Sequence, residues 1–165
     1  LVTWLTRVGH LSLVEAGLVF ATMQISGVVG RLVLGWLSDM LGSAVRVLQG
    51  VSFVSALTSV GIAIGGTMPL EACYLLAAVA GVTVSSWNGI QVAAVAARVP
   101  QHRISVCASG ATILVFGGFV VGPVAFALVL ERTGDFRGCF LMTAFVTFLA
   151  LPLLLWVRPA SPARA

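Results

Sequence analysis

The sequence predicts an all-α fold, namely a polytopic transmembrane helix bundle with about five spanning helices. Of its 165 residues, 59% are hydrophobic and 8% are charged, whereas a soluble domain carries about 25% charged residues. The mean hydropathy is +1.11. Several charge-free stretches also reach the roughly 20 residues that a helix needs to cross a bilayer core about 30 Å thick. Lipid is therefore the expected main solvent of this chain.

The first segment, residues 1–12, is too short to cross a bilayer. Its Trp4 and Arg7 are typical of the interfacial end of a membrane helix. We therefore expect the end of a preceding helix and an external loop here. The chain has no initiator Met and no signal segment with a small-residue cleavage site, which predicts that it starts inside a longer protein.

Five predicted spans follow and make the whole chain, 1–165, one transmembrane domain. The first span, about 14–36, is uncharged from Ala16 until it meets Arg31. The four later spans contain no Asp, Glu, Lys or Arg, and they cover residues 47–70, 72–97, 104–130 and 138–157. Short polar joints separate the spans, so we expect sequential helices to be antiparallel neighbours.

The distribution of arginines predicts the orientation, because loops kept in the cytoplasm are enriched in basic residues. One side of the predicted bundle collects Arg46, Arg98, Arg103, Arg158 and Arg164. The other side collects Arg7, Arg132 and Arg137 together with Glu15, Glu71, Glu131 and Asp135. We therefore expect the joint 37–46 and the tail 158–165 in the cytoplasm, and the bacterial inner membrane as the location.

Composition and spacing exclude several function classes. All nine basic residues are arginines that stand singly at the ends of apolar runs, and the net charge is +4. A nucleic-acid interface would cluster them with aromatic residues, so the bilayer and not nucleic acid is the expected partner. The three cysteines show no metal-ligand spacing, and neither a Walker loop nor a Ser/His/Asp set is present. We expect no enzyme activity, cofactor or metal site.

The third predicted span carries small residues at every fourth position. The series is Cys73, Ala77, Gly81, Ser85, Gly89, Ala93 and Ala97. Small residues let two membrane helices approach closely, so Gly81, Ser85 and Gly89 are predicted packing residues. Because a four-residue step drifts about 40° per repeat, this seam winds slowly round the helix.

Polar side chains lie opposite the local direction of this seam. Trp87 and Gln91 fall on the face away from Gly89, with Asn88 about 60° from Gln91 on a helical wheel. An unpaired amide in hydrocarbon costs several kcal/mol, so this face must meet protein or a hydrated cavity. Two interpretations stay open: hydrogen bonds to a neighbouring helix, or a solute site near the middle of the membrane.

The first predicted span also has a polar and small face. This face covers an arc of about 80° and consists of Gln24, Gly27, Arg31, Gly35 and Ser38. A charge inside a span is expensive and is by default a functional candidate. Arg31 nevertheless lies near a helix end, so snorkelling to the interface is an equal alternative.

The fourth predicted span contains Gly118-x-x-x-Gly122-Pro123. The two glycines favour close helix contact, and Pro123 predicts a kink because it removes one backbone hydrogen bond. Helix packing is the favoured interpretation and gating the alternative.

The stretch 35–42, GWLSDMLG, resembles the loop motif G-x-x-x-D-R-x-G-R-R/K of the major facilitator superfamily. Gly35, Asp39 and Gly42 match the motif, and Arg46 is a displaced basic residue. The departures from its basic positions are Met40, Ser43 and Ala44. Further similar features are Gly30 with Arg31, Gly122 with Pro123, and the stretch 133–136, TGDF.

The resemblance implies the C-terminal half of such a transporter, about helices 8 to 12 plus the end of helix 7. In that family two halves rock about a site near the midplane, so the missing N-terminal half and a small solute are implied partners. The resemblance places Arg31 and Asp39 at a cytoplasmic gate, and it gives the candidate pathway residues Gln24, Trp87, Asn88 and Gln91. A non-transporting, truncated helix bundle that acts only through partner binding is the alternative function.

Overall fold

The computed structural model describes residues 1–65 and 67–157. The predicted cytoplasmic tail 158–165, including Arg158 and Arg164, lies outside the described residues. Within them the chain forms seven α-helices and one 3-10 turn, Gln101–Arg103. The helices are α1 (Val2–Arg7), α2 (Leu13–Leu41), α3 (Ala44–Ile64), α4 (Leu70–Val84), α5 (Trp87–Ala96), α6 (Ile104–Thr133) and α7 (Phe136–Trp156).

Five helical segments are long and apolar enough to cross a membrane, which confirms the predicted fold class. Four of them are α2, α3, α7 and α6 with its preceding turn, and the fifth is α4 together with α5. The boundaries differ from the charge-free windows at several places. α2 extends past Asp39 to Leu41, and α3 ends at Ile64 although the apolar run continues. The windows follow hydrophobicity, whereas the helices end where glycine or proline stops them.

The most extensive packing is not between sequential helices, although sequential helices are neighbours as predicted. The most extensive contacts join α2 to α4 and α3 to α7. In the first pair Gly27 lies beside Gly81 and Gly30 beside Ser86, so α2 and α4 run in the same direction. Sequential helices do touch, but small residues let the alternate helices α2 and α4 approach more closely.

The α3 and α7 helices run in opposite directions. Near one end the Gln49 amide donates a hydrogen bond of 3.0 Å to the Leu154 carbonyl. Towards the other end an apolar gap of about 340 Å³ is lined by Val60 of α3 and Leu141 of α7. Leu154 lies in the last turn of α7, so Gln49 satisfies a carbonyl that lacks an intrahelical partner.

The short helix α1 is docked into the bundle. Trp4 is only 4% exposed and packs in one apolar cluster with residues such as Ile62 and Ala77. Its ring also meets Phe140 edge-on at a centroid distance of 5.9 Å. Trp4 is therefore buried in this cluster, where its large apolar ring finds aromatic and small partners from three helices.

The helix α6 differs from the others because none of its residues is buried within the described chain. It contacts α7 through Phe126, whose ring lies edge-on to Phe140 at 5.5 Å. The reversal between the two helices uses Gly134 at φ 64° and Asp135, whose carboxylate accepts a hydrogen bond of 2.9 Å from the Arg137 N–H.

Candidate functional site

The third membrane span is interrupted close to its middle. The sequence predicted one continuous helix over 72–97, but α4 ends at Val84 and α5 begins at Trp87, with Ser85 and Ser86 in a turn between them. Serine pairs are a recognised cause of helix breaks in apolar segments, because their hydroxyls compete for backbone groups. The two helices together still form one span of 27 residues, Leu70–Ala96.

Glycines allow α2 to pack directly against the turn at Ser85 and Ser86. A Cβ at Gly27 would lie 2.9 Å from the Ser85 Cβ, and one at Gly30 would lie 2.6 Å from the Ser86 Oγ. A Cβ at Gly81 would lie 3.0 Å from the Gly27 nitrogen. Contacts below about 3 Å are not available to a real side chain, so glycine is required at this crossing for the two backbones to meet.

Hydrogen bonds connect the turn at Ser85 and Ser86 to both α2 and α4. The Ser86 hydroxyl, which is 1% exposed, lies 2.9 Å from the Gly27 carbonyl and 3.1 Å from the Gly81 carbonyl, and it donates to this pair. The Arg31 guanidinium donates to the Ser85 carbonyl at 3.4 Å. Arg31, although exposed, thus contacts the backbone of this turn. Sequence reasoning missed Ser86, although the Ser-Ser pair inside an apolar run was a usable signal.

The small-residue seam packs along its first half and is exposed along its second. Cys73, Ala77 and Gly81 are buried, whereas Gly89 and Ala93 are exposed. A Cβ at Gly89 would meet nothing within 4 Å. The described chain thus packs the seam at Gly81 and leaves it open at Gly89, where close packing stays a prediction. The reason is that the seam drifts round the helix, and the turn at Ser85 and Ser86 adds a further change of direction.

The four candidate pathway residues separate into two pairs. Trp87 and Gln91 line a partly open chamber bordered by α3, α4, α5 and α7. Asn88 and Gln24 are exposed on the surfaces of α5 and α2. The structure therefore brings Trp87 and Gln91 together but places neither Gln24 nor Asn88 in that chamber.

The chamber has a volume of about 560 Å³. Its α3 wall presents three hydroxyls, from Ser52, Ser55 and Ser59. Sequence reasoning missed these residues, yet their spacing of three and four residues puts them on one helix face, which was a usable signal. A second, wider gap of about 730 Å³ lies between α2, α3 and α4, and its lining is mainly apolar with Arg46 included.

The loop motif at the end of α2 acts locally as a helix stop. Gly42 has φ 58°, a left-handed conformation that glycine adopts without strain. Its N–H donates to the Asp39 carbonyl at 3.2 Å, and the Ser43 N–H donates to the Ser38 carbonyl at 3.2 Å. Together these bonds form a Schellman motif, which places the start of α3 directly after α2.

The other motif residues are not joined in this structure. Asp39, Arg31 and Arg46 are all exposed, and a Cβ at Gly35 would meet nothing within 4 Å. On α6, Gly118 and Gly122 likewise face open space within the described chain, and Pro123 lies inside a helix that continues past it. A gate at Arg31 and Asp39 and close packing at Gly118 and Gly122 stay predictions.

Five membrane-length helical segments, one of which is interrupted, define an integral membrane protein. A sequence model of the Major Facilitator Superfamily matches residues 1–165. The chain belongs to this superfamily, which confirms the resemblance and supports a secondary transporter in general. Neither a curated protein nor a solved structure gives a significant match.

Proposed function

We propose that the chain is the C-terminal half of a transporter that moves a small solute by alternating access. The observation that carries this proposal is the interruption of the third span at Ser85 and Ser86. Transporters commonly place their solute and ion sites where a membrane helix is broken, because the break frees backbone groups near the midplane. Irregular backbone at this depth is tolerated where protein or water surrounds it.

Polar groups near the break support a pathway on this side of the bundle. Arg31 lies beside the freed Ser85 carbonyl. Asn88 lies in the first turn of α5 and is exposed, and Gln24 is exposed on the same helix as Arg31. In lipid an exposed amide is costly, so a hydrated passage shared with the second half of the transporter accounts for both amides. We include Trp87 and Gln91 as pathway residues and Arg31 with Asp39 as the cytoplasmic gate.

The proposed membrane setting follows from the arginine distribution. We place the protein in a bacterial inner membrane with its C-terminus and the α2–α3 joint in the cytoplasm. The solute and the N-terminal half are then the partners of this chain, together with the bilayer.

Thiol labelling from both sides of the membrane tests alternating access. In the full protein with Cys73, Cys107 and Cys139 replaced by Ala, we expect Asn88→Cys to react with a membrane-impermeant maleimide in intact cells and in inverted vesicles. Leu57→Cys is the matched control, since Leu57 is 54% exposed on the apolar outer face of α3. We expect that control to react from neither side.

The alternative function predicts a different result. A bundle that acts only through partner binding has no reason to expose one residue to both compartments. Labelling of Asn88→Cys from one side alone, or from neither, would contradict alternating access. Family membership favours the transporter over this alternative.

A further inference from the structure

The chamber bordered by α3, α4, α5 and α7 contains serine hydroxyls that donate to no described residue. Ser55 is 7% exposed and Ser59 is 8% exposed, and neither donates a hydrogen bond to a described residue. Both line the chamber. Within the described residues, no side-chain oxygen or nitrogen is both fully enclosed by protein and without a hydrogen bond. The Ser55 and Ser59 oxygens are therefore open to the chamber.

The threonines of the same chamber behave differently. The Thr83 hydroxyl donates to the Val79 carbonyl at 2.8 Å, and the Thr147 hydroxyl donates to the Thr143 carbonyl at 2.8 Å. These donors are satisfied within their own helices. The serines of α3 and the Gln91 amide are not, and an unmet buried hydrogen-bonding group costs about 1–3 kcal/mol. Several such groups around one space call for a hydrogen-bonding occupant.

The chemistry of the lining defines the occupant. The described lining of the chamber contains no Asp, Glu, Lys or Arg. An ion placed there would lose its hydration without gaining a counter-charge, which is strongly unfavourable in a membrane interior. A cavity of about 560 Å³ lies within the range of about 300–1,000 Å³ typical of small-molecule sites. Trp87 adds an aromatic wall with an indole N–H donor.

The apolar gap between α3 and α7 differs from the chamber in the chemistry of its lining. It lies between α3 and α7, has a volume of about 340 Å³, and is lined by apolar residues such as Phe53, Leu57 and Phe145. That gap suits a lipid chain. The hydroxyls are confined to the other side of α3, so the polarity of the chamber is a local feature and not a general property of the bundle.

We infer that this chamber binds a small, uncharged, hydrogen-bonding molecule such as a polyol or an amide. The serine hydroxyls of α3, the Gln91 amide and the Trp87 indole N–H hold it. The inference deepens the proposed function, because Trp87 and Gln91 are also candidate pathway residues. Binding itself requires no transport, so the two proposals can fail separately.

Cysteine modification in the full, otherwise cysteine-free protein tests the inference. Methanethiosulfonates react with thiolates, which form only where water reaches the sulfur. We expect Ser59→Cys to react with the uncharged methyl reagent about tenfold faster than with the sulfonatoethyl or the trimethylammonioethyl reagent, a difference of about 1.4 kcal/mol. Leu57→Cys, two residues away on the apolar side, should react with the methyl reagent about tenfold more slowly than Ser59→Cys.

Protection by small probes then tests binding. Glycerol and acetamide should slow the modification of Ser59→Cys in a saturable way, and acetate, which has the shape of acetamide but a negative charge, should not. Ser55→Cys serves as a second reporter in case the first variant does not assemble. Equal rates with charged reagents, equal rates at Leu57→Cys, or no protection by either uncharged probe would overturn the inference. Protection together with one-sided labelling of Asn88→Cys would overturn only the proposed transport mechanism.

Discussion

The glycines at the α2–α4 crossing and the glycines of α6 have similar spacing but opposite surroundings. Gly27, Gly30 and Gly81 are buried where α2 crosses α4. Gly118 and Gly122 lie on a helix with no buried residue in the described chain. The contrast shows that a small-residue motif gives a helix the capacity for close contact but does not choose its partner.

The partner surfaces explain the difference. α4 and the turn after it present Gly81, Ser85 and Ser86 at the level of the α2 glycines, so backbone meets backbone. The surface that α7 offers to α6 includes Phe140, whose ring meets Phe126 at 5.5 Å. Aromatic rings keep two helices apart, whereas matched small residues let them meet.

The largest expected effect comes from a bulky side chain at the crossing. Gly81→Leu should destabilise the bundle by more than about 3 kcal/mol, since even a Cβ there would overlap the α2 backbone and overpacking of a closed contact commonly costs 1–3 kcal/mol. Thermal unfolding in detergent measures the effect. Gly118→Leu is the matched control and should change stability by less than about 0.5 kcal/mol. A larger loss in the control than in Gly81→Leu would reverse the comparison.

A smaller change, from glycine to alanine, tests which glycines are closely packed. Gly30→Ala should lower stability by about 1–3 kcal/mol, because its Cβ would lie 2.8 Å from the Val82 Cα. Gly89→Ala should be neutral or stabilising by up to about 1 kcal/mol, since alanine favours helix and the site is open. The measurement is again the unfolding midpoint of each variant. If Gly89→Ala proves as harmful as Gly30→Ala, the second half of the seam packs after all.

The smallest effect concerns one hydrogen bond at the interruption. Ser86→Ala removes the donor to the Gly27 and Gly81 carbonyls and should cost about 0.5–1.5 kcal/mol. Ser109→Ala, an exposed serine of α6, should leave stability within about 0.5 kcal/mol. Chemical unfolding measures the free energy of unfolding of both variants. Equal values for the two would mean that the turn does not depend on the Ser86 hydroxyl.

For much of the candidate site, the sequence predicted which residues are polar but left their surroundings open. The polar residues Trp87, Asn88 and Gln91 indicated that α5 meets protein or water, but their division between a chamber and an exposed surface was not predictable. Ser55 and Ser59 share a helix face at a recognisable spacing. Their shared place in one chamber depends on α5 and α7, which border it together with α3.

The sequence by itself determined the solvent, the number of spans and the ends of α2 and α6. Apolar runs choose lipid through their own hydrophobicity, and Gly42 and Gly134 stop α2 and α6 through their own backbone freedom. The tertiary structure alone decided that Gly81 packs while Gly89 is exposed, and that α2 pairs with α4. The physical reason is that helix boundaries depend on neighbouring residues, whereas close packing requires two distant segments to present complementary surfaces at the same level.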